Sequence, residues 1–136
     1  MKTILVLEDD LGNMQAFCAV LSSMGYRVLE ATTGREAIET YNKLCEPINL
    51  FVSDVSLPDL SDTEVAPRLI QLQPDVSILF LAGTPIYDWP ESDRRNFRRL
   101  PFGSVDFLEK PFRASALQTK VESLVNSRSS VSDTRR

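Results

Sequence analysis

The stretch Ile4-Leu5-Val6-Leu7-Glu8-Asp9-Asp10 decides the fold, because a short apolar run ends directly in acidic residues. The same arrangement recurs along the chain, where further apolar runs end in Ser53-Asp54, Ala82-Gly83-Thr84 and Glu109-Lys110-Pro111-Phe112. Such short apolar runs, separated by helix-length segments, are typical of buried parallel strands. Ligands of an open parallel sheet bind beyond the carboxyl ends of its strands. We therefore expect a site for a cation and a phosphoryl group at that edge.

Five strands alternate with five helices in the predicted order of elements. The strands are expected at 3–7, 27–31, 50–53, 77–81 and 105–108. The helices are expected at 13–24, 34–43, from about 61 to the turn at 73–75, 91–99 and 115–125. Pro67 falls inside the third helix and predicts a kink or a late start there. The alternation predicts an α/β fold, a doubly wound three-layer sandwich with strand order 2-1-3-4-5.

Length and composition limit the function classes that the chain can serve. The 136 residues predict one domain over 1–126, followed by a disordered polar tail at 127–136. Because the net charge is −4, direct nucleic-acid binding is not expected. No apolar stretch reaches the roughly 20 residues of a membrane helix, and no signal peptide is recognised. The two cysteines lack a metal-binding or disulfide spacing, which predicts a reducing, cytoplasmic location.

Three carboxylates at adjacent strand ends define the predicted chemistry. Glu8, Asp9 and Asp54 repel one another, so their proximity requires a neutralising positive charge. Ligand oxygens favour a hard cation such as Mg²⁺. Lys110 adds a second positive charge, which could pair with Asp54 at rest and with a phosphoryl group later. Asp54 could then act as a nucleophile and form an aspartyl-phosphate.

The chain resembles a known family, the receiver domains of two-component response regulators, which include the chemotaxis regulators. The resemblance covers about 1–126 and implies their flavodoxin-like fold. The matching strings are Ile4-Leu5-Val6-Leu7-Glu8-Asp9-Asp10, Ala31 with Gly34-x-Glu36-Ala37, Val52-Ser53-Asp54 with Leu57-Pro58, and Phe107-Leu108-Glu109-Lys110-Pro111-Phe112.

The resemblance implies a role for each matching site residue. Asp54 would accept a phosphoryl group from a sensor histidine kinase or a histidine phosphotransfer protein, and Lys110 would contact that group. Mg²⁺ would be held by Asp9 directly, by Glu8 through water, by Asp54 and by the backbone carbonyl of Ser56. The family also often has a cis peptide bond before the proline at position 111. Such a domain is a signalling protein and not an enzyme.

Three positions depart from the family pattern. Ala82 stands where the family usually has Ser or Thr, so a hydroxyl that bonds the phosphoryl group is missing; Thr84 is a weaker substitute. Phe107 occupies the position of the switch aromatic but has no hydroxyl. The loop before the third helix has Asp62-Thr63 where a glycine is common. Phosphorylation could survive these changes, whereas the conformational switch becomes doubtful.

Alternative functions follow from these departures. The first alternative is a degenerate receiver that serves as a phosphorylation-independent interaction module. A phosphohydrolase is disfavoured because Ser56 replaces the general-acid aspartate, and a flavin-binding protein is disfavoured because acids follow the first strand. A downstream protein target could dock on helix 4, strand 5 and helix 5. The surface expected there comprises Trp89, Phe97 and four arginines, namely Arg94, Arg95, Arg98 and Arg99.

The sequence leaves the output of the domain open. The segment after Val125 is too short for a DNA-binding domain. Either the chain is a single-domain regulator that acts through protein contacts, or it is a piece of a longer protein. The start at Met1, two residues before the first strand, favours a natural amino terminus as an expectation.

Overall fold

A computed structural model describes residues 1–55, 62–89, 91–99 and 104–134. The strands are β1 Thr3–Leu7, β2 Arg27–Ala31, β3 Leu50–Asp54, β4 Ser77–Ala82 and β5 Val105–Glu109. The helices are α1 Leu11–Ser23, α2 Gly34–Lys43, α3 Asp62–Leu72, α4 Glu91–Arg99 and α5 Ala114–Thr134, with a 3₁₀ turn at Ile86–Asp88.

The five strands form one parallel sheet in the order β2-β1-β3-β4-β5. Register brings the strand ends to a common edge, since Leu7 pairs with Ser53 and Asp54 pairs with Leu81. Ala82 likewise pairs with Glu109, directly before Lys110. The predicted fold class and strand order are therefore confirmed, and the four sequence strings meet at one edge.

Side chains alternate between the two faces of the sheet, and each face is covered by helices. On one face, Ile4 and Val6 share an apolar cluster with α1 and α5 residues such as Phe17 and Leu117. On the other, Leu5 and Leu7 share a cluster with α2 and α3 residues. Because a central parallel strand is buried on both faces, its sequence is continuously apolar. This burial explains why β1, β3 and β4 were readable from sequence.

Side-chain caps determine where the first two helices begin. The Asn13 N–H donates to Asp10 Oδ1 at 2.9 Å, so Asp10 caps α1. Helix α1 therefore begins at Leu11, two residues before the predicted start. Thr33 caps α2 in the same way, and Glu36 accepts a return bond from the Thr32 N–H at 2.6 Å. The acidic run after β1 thus serves both the helix and the site.

The predicted end of the last helix was wrong, and Pro67 does not delay the start of α3. Helix α3 begins at Asp62 and includes Pro67, so the late start is excluded; the predicted cap Ser61 lies outside the described residues. Helix α5 runs to Thr134, beyond the predicted end at Val125. No glycine or proline follows Pro111, so nothing in the sequence interrupts backbone hydrogen bonding there. The division of the chain at residue 126 stays a prediction.

A buried amide at the end of α3 was not anticipated from the sequence. Gln73 is 7% exposed, and its side chain bonds both backbone groups of Ile48. The Ile48 N–H donates to Gln73 Oε1 at 3.0 Å, and the Tyr41 hydroxyl donates to the same oxygen at 3.2 Å. The Gln73 amide therefore makes the hydrogen bonds to Ile48 that a neighbouring strand would otherwise make, just before β3.

Replacing Gln73 with leucine should lower the free energy of unfolding by roughly 2–4 kcal/mol, because two buried backbone groups lose their partners. Urea denaturation followed by circular dichroism measures the change. Gln71→Leu is the matched control, since Gln71 is exposed on the same helix; it should stay within about 0.5 kcal/mol of wild type. Equal effects of the two substitutions would show that the amide contributes nothing specific.

Candidate functional site

Asp54 occupies the end of β3, where the sheet edge brings it beside a lysine from the β5–α5 connection. Asp54 is 3% exposed, and its Oδ2 lies 2.8 Å from Lys110 Nζ. The following Val55 N–H donates to the Leu81 carbonyl at 2.8 Å, which holds the strand end against β4. A buried carboxylate paired with an ammonium group is thereby fixed at the predicted position.

Glu8 and Asp9 follow β1 and complete an acidic cluster with Asp54. One carboxylate oxygen from each of the three residues lies within 4.8 Å of the other two. Glu8 is buried, with its Oε2 accepting from the Asp10 N–H at 3.1 Å, whereas Asp9 is exposed. The structure therefore brings together the three carboxylates and the lysine that the sequence singled out.

Burial makes the Glu8 carboxyl hard to ionise. Desolvation, with a smaller contribution from the nearby Asp54 carboxylate, raises its pKa from 4.5 to about 7 in spite of the opposing Asp10 N–H and Lys110. The folded pKa lies above the unfolded one, so the folded state binds more protons between these values. Stability contributed by this group is therefore present below about pH 4.5 and is lost as the pH rises toward 7.

Lys110 is positioned by its backbone as well as by the carboxylates. Its N–H donates to the Ala82 carbonyl at 2.6 Å, which ties the residue to the end of β4. The Lys110–Pro111 peptide bond is cis, as the resemblance implies for many family members. Lys110 Nζ also lies 3.6 Å from Glu8 Oε1, so one ammonium group is near two buried carboxylates.

The donor set fits a hard cation. Glu8 Oε1 is buried and accepts no hydrogen bond from the described residues, and the Lys110 ammonium lies 3.6 Å from it. All three clustered side chains offer oxygen, and oxygen ligands are those that Mg²⁺ prefers. The predicted carbonyl ligand, Ser56, lies outside the described residues. The residues described here are therefore compatible with magnesium.

The two predicted switch positions, Ala82 and Phe107, lie on the face of the sheet that α2 and α3 cover. Ala82 is fully buried, and Phe107 is half-buried against the same apolar cluster. Phe107 packs edge-on against Trp89 and Phe97, with centroid separations of 6.0 and 5.8 Å. Phe80 completes this group, which we call the aromatic cluster. Ala82 and the aromatic cluster thus belong to one apolar cluster of the core.

Trp89 does not belong to an exposed surface, so that part of the predicted docking surface was wrong. The indole is 3% exposed and fills the space beneath α4, and its Nε1–H donates to the Thr84 carbonyl at 3.0 Å. Phe97 is likewise packed against the core. The buried position of Trp89 is favoured over an exposed one because burying an indole removes a large apolar area from water. The proline-bounded segment around Trp89 gave no periodicity from which to predict this.

The arginines of α4 do reach the surface. Arg95, Arg98 and Arg99 are exposed, and a cavity of about 250 Å³ is lined by Ile86, Tyr87, Arg94 and Arg98. Tyr87 is 70% exposed. The Arg94 guanidinium donates to the Tyr87 carbonyl at 3.2 Å, which orders this corner. A basic face with an apolar depression therefore remains after the aromatic residues are buried.

Comparison with known proteins identifies this arrangement. The sequence profile of the response regulator receiver domain matches residues 4–122. The chain belongs to this family. Receiver domains are the signalling domains of two-component response regulators, and members bind Mg²⁺ at an acidic pocket of this kind. Across the described ranges of this receiver domain, no helix is long and apolar enough to cross a bilayer.

Two relatives from Brucella abortus illustrate the range of proteins that carry such a domain. The response regulator receiver protein CpdR is 29% identical over 126 residues, which is 92% of this chain and 98% of that protein. The sensor kinase CckA is 30% identical over 124 residues, which is 90% of this chain. The receiver domain spans only 12% of the length of CckA.

Two solved structures support the fold. The receiver domain protein from Clostridium thermocellum superposes with a TM-score of 0.81 at 21% identity, covering 96% of this chain and 99% of that one. A CheY-like receiver domain protein from Methanospirillum hungatei gives the same TM-score at 22% identity, over 96% of this chain and 98% of that one. At these identities the agreement concerns the fold.

Proposed function

We propose that this receiver domain accepts a phosphoryl group on Asp54 from a phosphohistidine donor in a Mg²⁺-dependent reaction. The observation that carries the proposal is the buried Asp54 carboxylate, 2.8 Å from Lys110 and clustered with Glu8 and Asp9. An ordinary structural ion pair would not require two further carboxylates beside it, because they repel Asp54. The cluster is better explained by a transferred anionic group that arrives with a cation.

Each residue has a distinct role in this reaction. An Asp54 oxygen attacks phosphorus, and Lys110 stabilises the charge on the transferred oxygens through its ammonium group. Glu8, Asp9, Asp54 and the Ser56 carbonyl would hold Mg²⁺. When bound, the ion neutralises negative charge between the carboxylates and the incoming phosphoryl group. Burial of Asp54 and Glu8 removes competing water and strengthens these electrostatic interactions.

The partners follow from this assignment. The donor is a sensor histidine kinase or a histidine phosphotransfer protein, and the domain acts in the cytoplasm through protein contacts. The downstream target is a protein, and its docking surface includes the arginine face of α4 with the Ile86–Tyr87 depression. Charge complementarity there favours acidic residues on the target. The domain itself performs no turnover beyond gaining and losing its phosphoryl group.

Phosphorylation by a small donor tests the proposal without a cognate kinase. The protein is incubated with acetyl phosphate in Mg²⁺ or in EDTA, and its intact mass is measured over time. We expect one phosphoryl adduct per chain in Mg²⁺ and almost none in EDTA, because the clustered carboxylates repel the anionic donor without a cation. Absence of an adduct in Mg²⁺, with Mg²⁺ binding intact, would contradict the phosphoacceptor function.

A second candidate function is a phosphorylation-independent interaction module. The observation that favours it is the buried Ala82 methyl, which shares one apolar cluster with the aromatic residues, since neither offers a hydroxyl to the phosphoryl group. In that case phosphorylation at Asp54 would proceed to completion with no change at α4. Trp89 is the only tryptophan of the chain, so its emission reports on the cluster directly.

Replacing Ala82 with threonine should strengthen the response to phosphorylation. A hydroxyl there can donate one charge-assisted hydrogen bond, worth roughly 1.5–3 kcal/mol, to the phosphoryl group. We expect a larger phosphorylation-dependent change in Trp89 emission and in α4 amide exchange than in wild type. Ala82→Val is the matched control, because it adds similar bulk without a donor. Identical responses from the two variants would refute the missing-hydroxyl explanation.

A further inference from the structure

The connection between β4 and α4 folds back on itself over residues 84–89. The Trp89 Nε1–H donates to the Thr84 carbonyl at 3.0 Å. Two backbone hydrogen bonds of 2.9 and 3.1 Å close the 3₁₀ turn between these two residues. Because Thr84 precedes a proline, its backbone is restricted to extended conformations. This segment, here called the clasp, is therefore held as one unit from its first residue to its last.

The two ends of the clasp adjoin the phosphoacceptor site and α4. The clasp begins just after β4, where the Ala82 carbonyl accepts from the Lys110 N–H at 2.6 Å. The Lys110 ammonium in turn lies 2.8 Å from Asp54 Oδ2. At its other end, the Trp89 indole packs edge-on against Phe97 of α4, with ring centroids 5.6 Å apart. A continuous chain of hydrogen bonds and ring contacts thus connects Asp54 with α4, as energetic coupling between two sites requires.

We propose that the clasp shifts as a unit when Asp54 is phosphorylated and thereby repacks α4, with the Trp89 indole as the contact that transmits the shift. The inference rests on the proposed function, because it assigns how phosphorylation of Asp54 is relayed. This route requires no hydroxyl at Ala82 or Phe107, the two positions where the chain has none. Trp89 is therefore a coupling residue that acts on α4 and leaves the transfer reaction itself unchanged.

The phosphoryl group supplies the driving force for the shift. It adds up to two negative charges and three acceptor oxygens at the end of β3. Asp54 pairs with Leu81 of β4, so these oxygens lie close to the exposed residues Gly83 and Thr84 that follow β4. The backbone N–H groups of these two residues form charge-assisted hydrogen bonds to the oxygens when the clasp moves toward them. The phosphoryl group therefore binds the shifted position more tightly, which is what a ligand-driven change requires.

The aromatic cluster explains why α4 follows the clasp. The Trp89 ring contacts Phe80, Phe97 and Phe107 at centroid separations of 6.0, 5.6 and 6.0 Å. A close-packed group of this kind transmits a displacement from one ring to the next. Phe80 and Phe107 belong to paired strands of the sheet, whereas Phe97 belongs to a helix of nine residues. A shift of the indole is therefore expressed as a movement of α4.

Hydrogen exchange at α4 tests this inference. Wild type and Trp89→Phe are treated with acetyl phosphate in Mg²⁺, and α4 amide exchange and intact mass are measured on the same samples. We expect phosphorylation to change α4 exchange at least about threefold in wild type and hardly at all in the variant, because phenylalanine cannot bond the Thr84 carbonyl. Both proteins should be phosphorylated at similar rates. Tyr41→Phe is the matched control, since it removes a side-chain hydrogen bond of 3.2 Å on α2 and should keep the wild-type response.

A second variant guards against a folding defect at position 89. Pro85→Ala keeps the indole and releases the restriction on the Thr84 backbone, so the α4 response should fall while Trp89 emission reports the folded state. A wild-type α4 response in both variants would overturn the clasp, as would equal loss of the response in Tyr41→Phe. Complete phosphorylation of wild type with no response at α4 would overturn the clasp and leave the phosphoacceptor function intact. Failure of wild type to accept a phosphoryl group would contradict both.

Discussion

Replacing Asp54 with asparagine should reduce Mg²⁺-dependent phosphorylation to background while the fold is retained. The amide removes the nucleophilic oxygen pair but keeps the size and shape of the side chain. It also removes one of three clustered carboxylates, so repulsion with Glu8 and Asp9 decreases. We expect the unfolding free energy to stay unchanged or to rise. Intact mass after treatment with acetyl phosphate measures the loss, and denaturation measures the stability.

Asp106→Asn is the matched control for this substitution. Asp106 also lies on a strand and pairs with a lysine, since its Oδ2 is 2.8 Å from Lys120 Nζ. That pair is half-buried, with side chains 37% and 38% accessible, and Asp106 is not part of the acidic cluster. The control should be phosphorylated at the wild-type rate. Persistent labelling of the Asp54 variant at the wild-type level would remove Asp54 from the reaction.

Replacing Lys110 with methionine should have the second-largest effect. It should slow phosphorylation and tighten Mg²⁺ binding. Phosphorylation by acetyl phosphate should slow roughly 10²–10³-fold, because a preorganised charge on the transferred group is lost. Mg²⁺ binding should become tighter, because the ammonium group no longer competes for Glu8 and Asp54. Stopped-time mass measurements give the rate, and calorimetric titration gives the Mg²⁺ affinity.

Lys120→Met provides the comparison for this pair of effects. It removes a lysine from an ion pair of the same length at the surface, where such pairs contribute little. Neither the rate nor the Mg²⁺ affinity should change. A Lys110 variant with weakened Mg²⁺ binding would indicate general damage to the site rather than loss of one charge.

The sheet and the acidic cluster were predictable because both depend on short-range sequence patterns. Buried parallel strands are continuously apolar, so β1, β3 and β4 stood out from their surroundings. Parallel order then placed Glu8, Asp54 and Lys110 at one edge with no further information. The structure adds the distances between these side chains, which the sequence pattern could place only at the ends of neighbouring strands.

The aromatic cluster and the buried amide were not predictable for a physical reason. Trp89 lies between prolines in a segment without helical or strand periodicity, so its burial depends on where α4 packs. Gln73 looked like an ordinary turn residue, because a polar side chain carries no sign of the backbone groups it will bond. Both features are made by contacts between segments distant in sequence, which local patterns do not encode.

Helix ends were predicted less well than helix positions. Asp10 was read only as part of the acidic run after the first strand, and its role as the cap of α1 moved the helix start to Leu11. Pro67 was expected to delay or bend α3, yet that helix begins before it. A proline removes one donor, and the packing of Val65 and Leu69 against the sheet outweighs that loss.

Locating the phosphoryl group on the chain tests the role of Asp54 as phosphoacceptor. Protein treated with acetyl phosphate and Mg²⁺ is reduced with borohydride, which converts an aspartyl-phosphate to homoserine, and is then digested and sequenced by mass spectrometry. We expect homoserine at position 54 in treated protein and unmodified aspartate in the sample with EDTA. Homoserine at Asp9, Asp10 or any other aspartate, with Asp54 unmodified, would contradict that role.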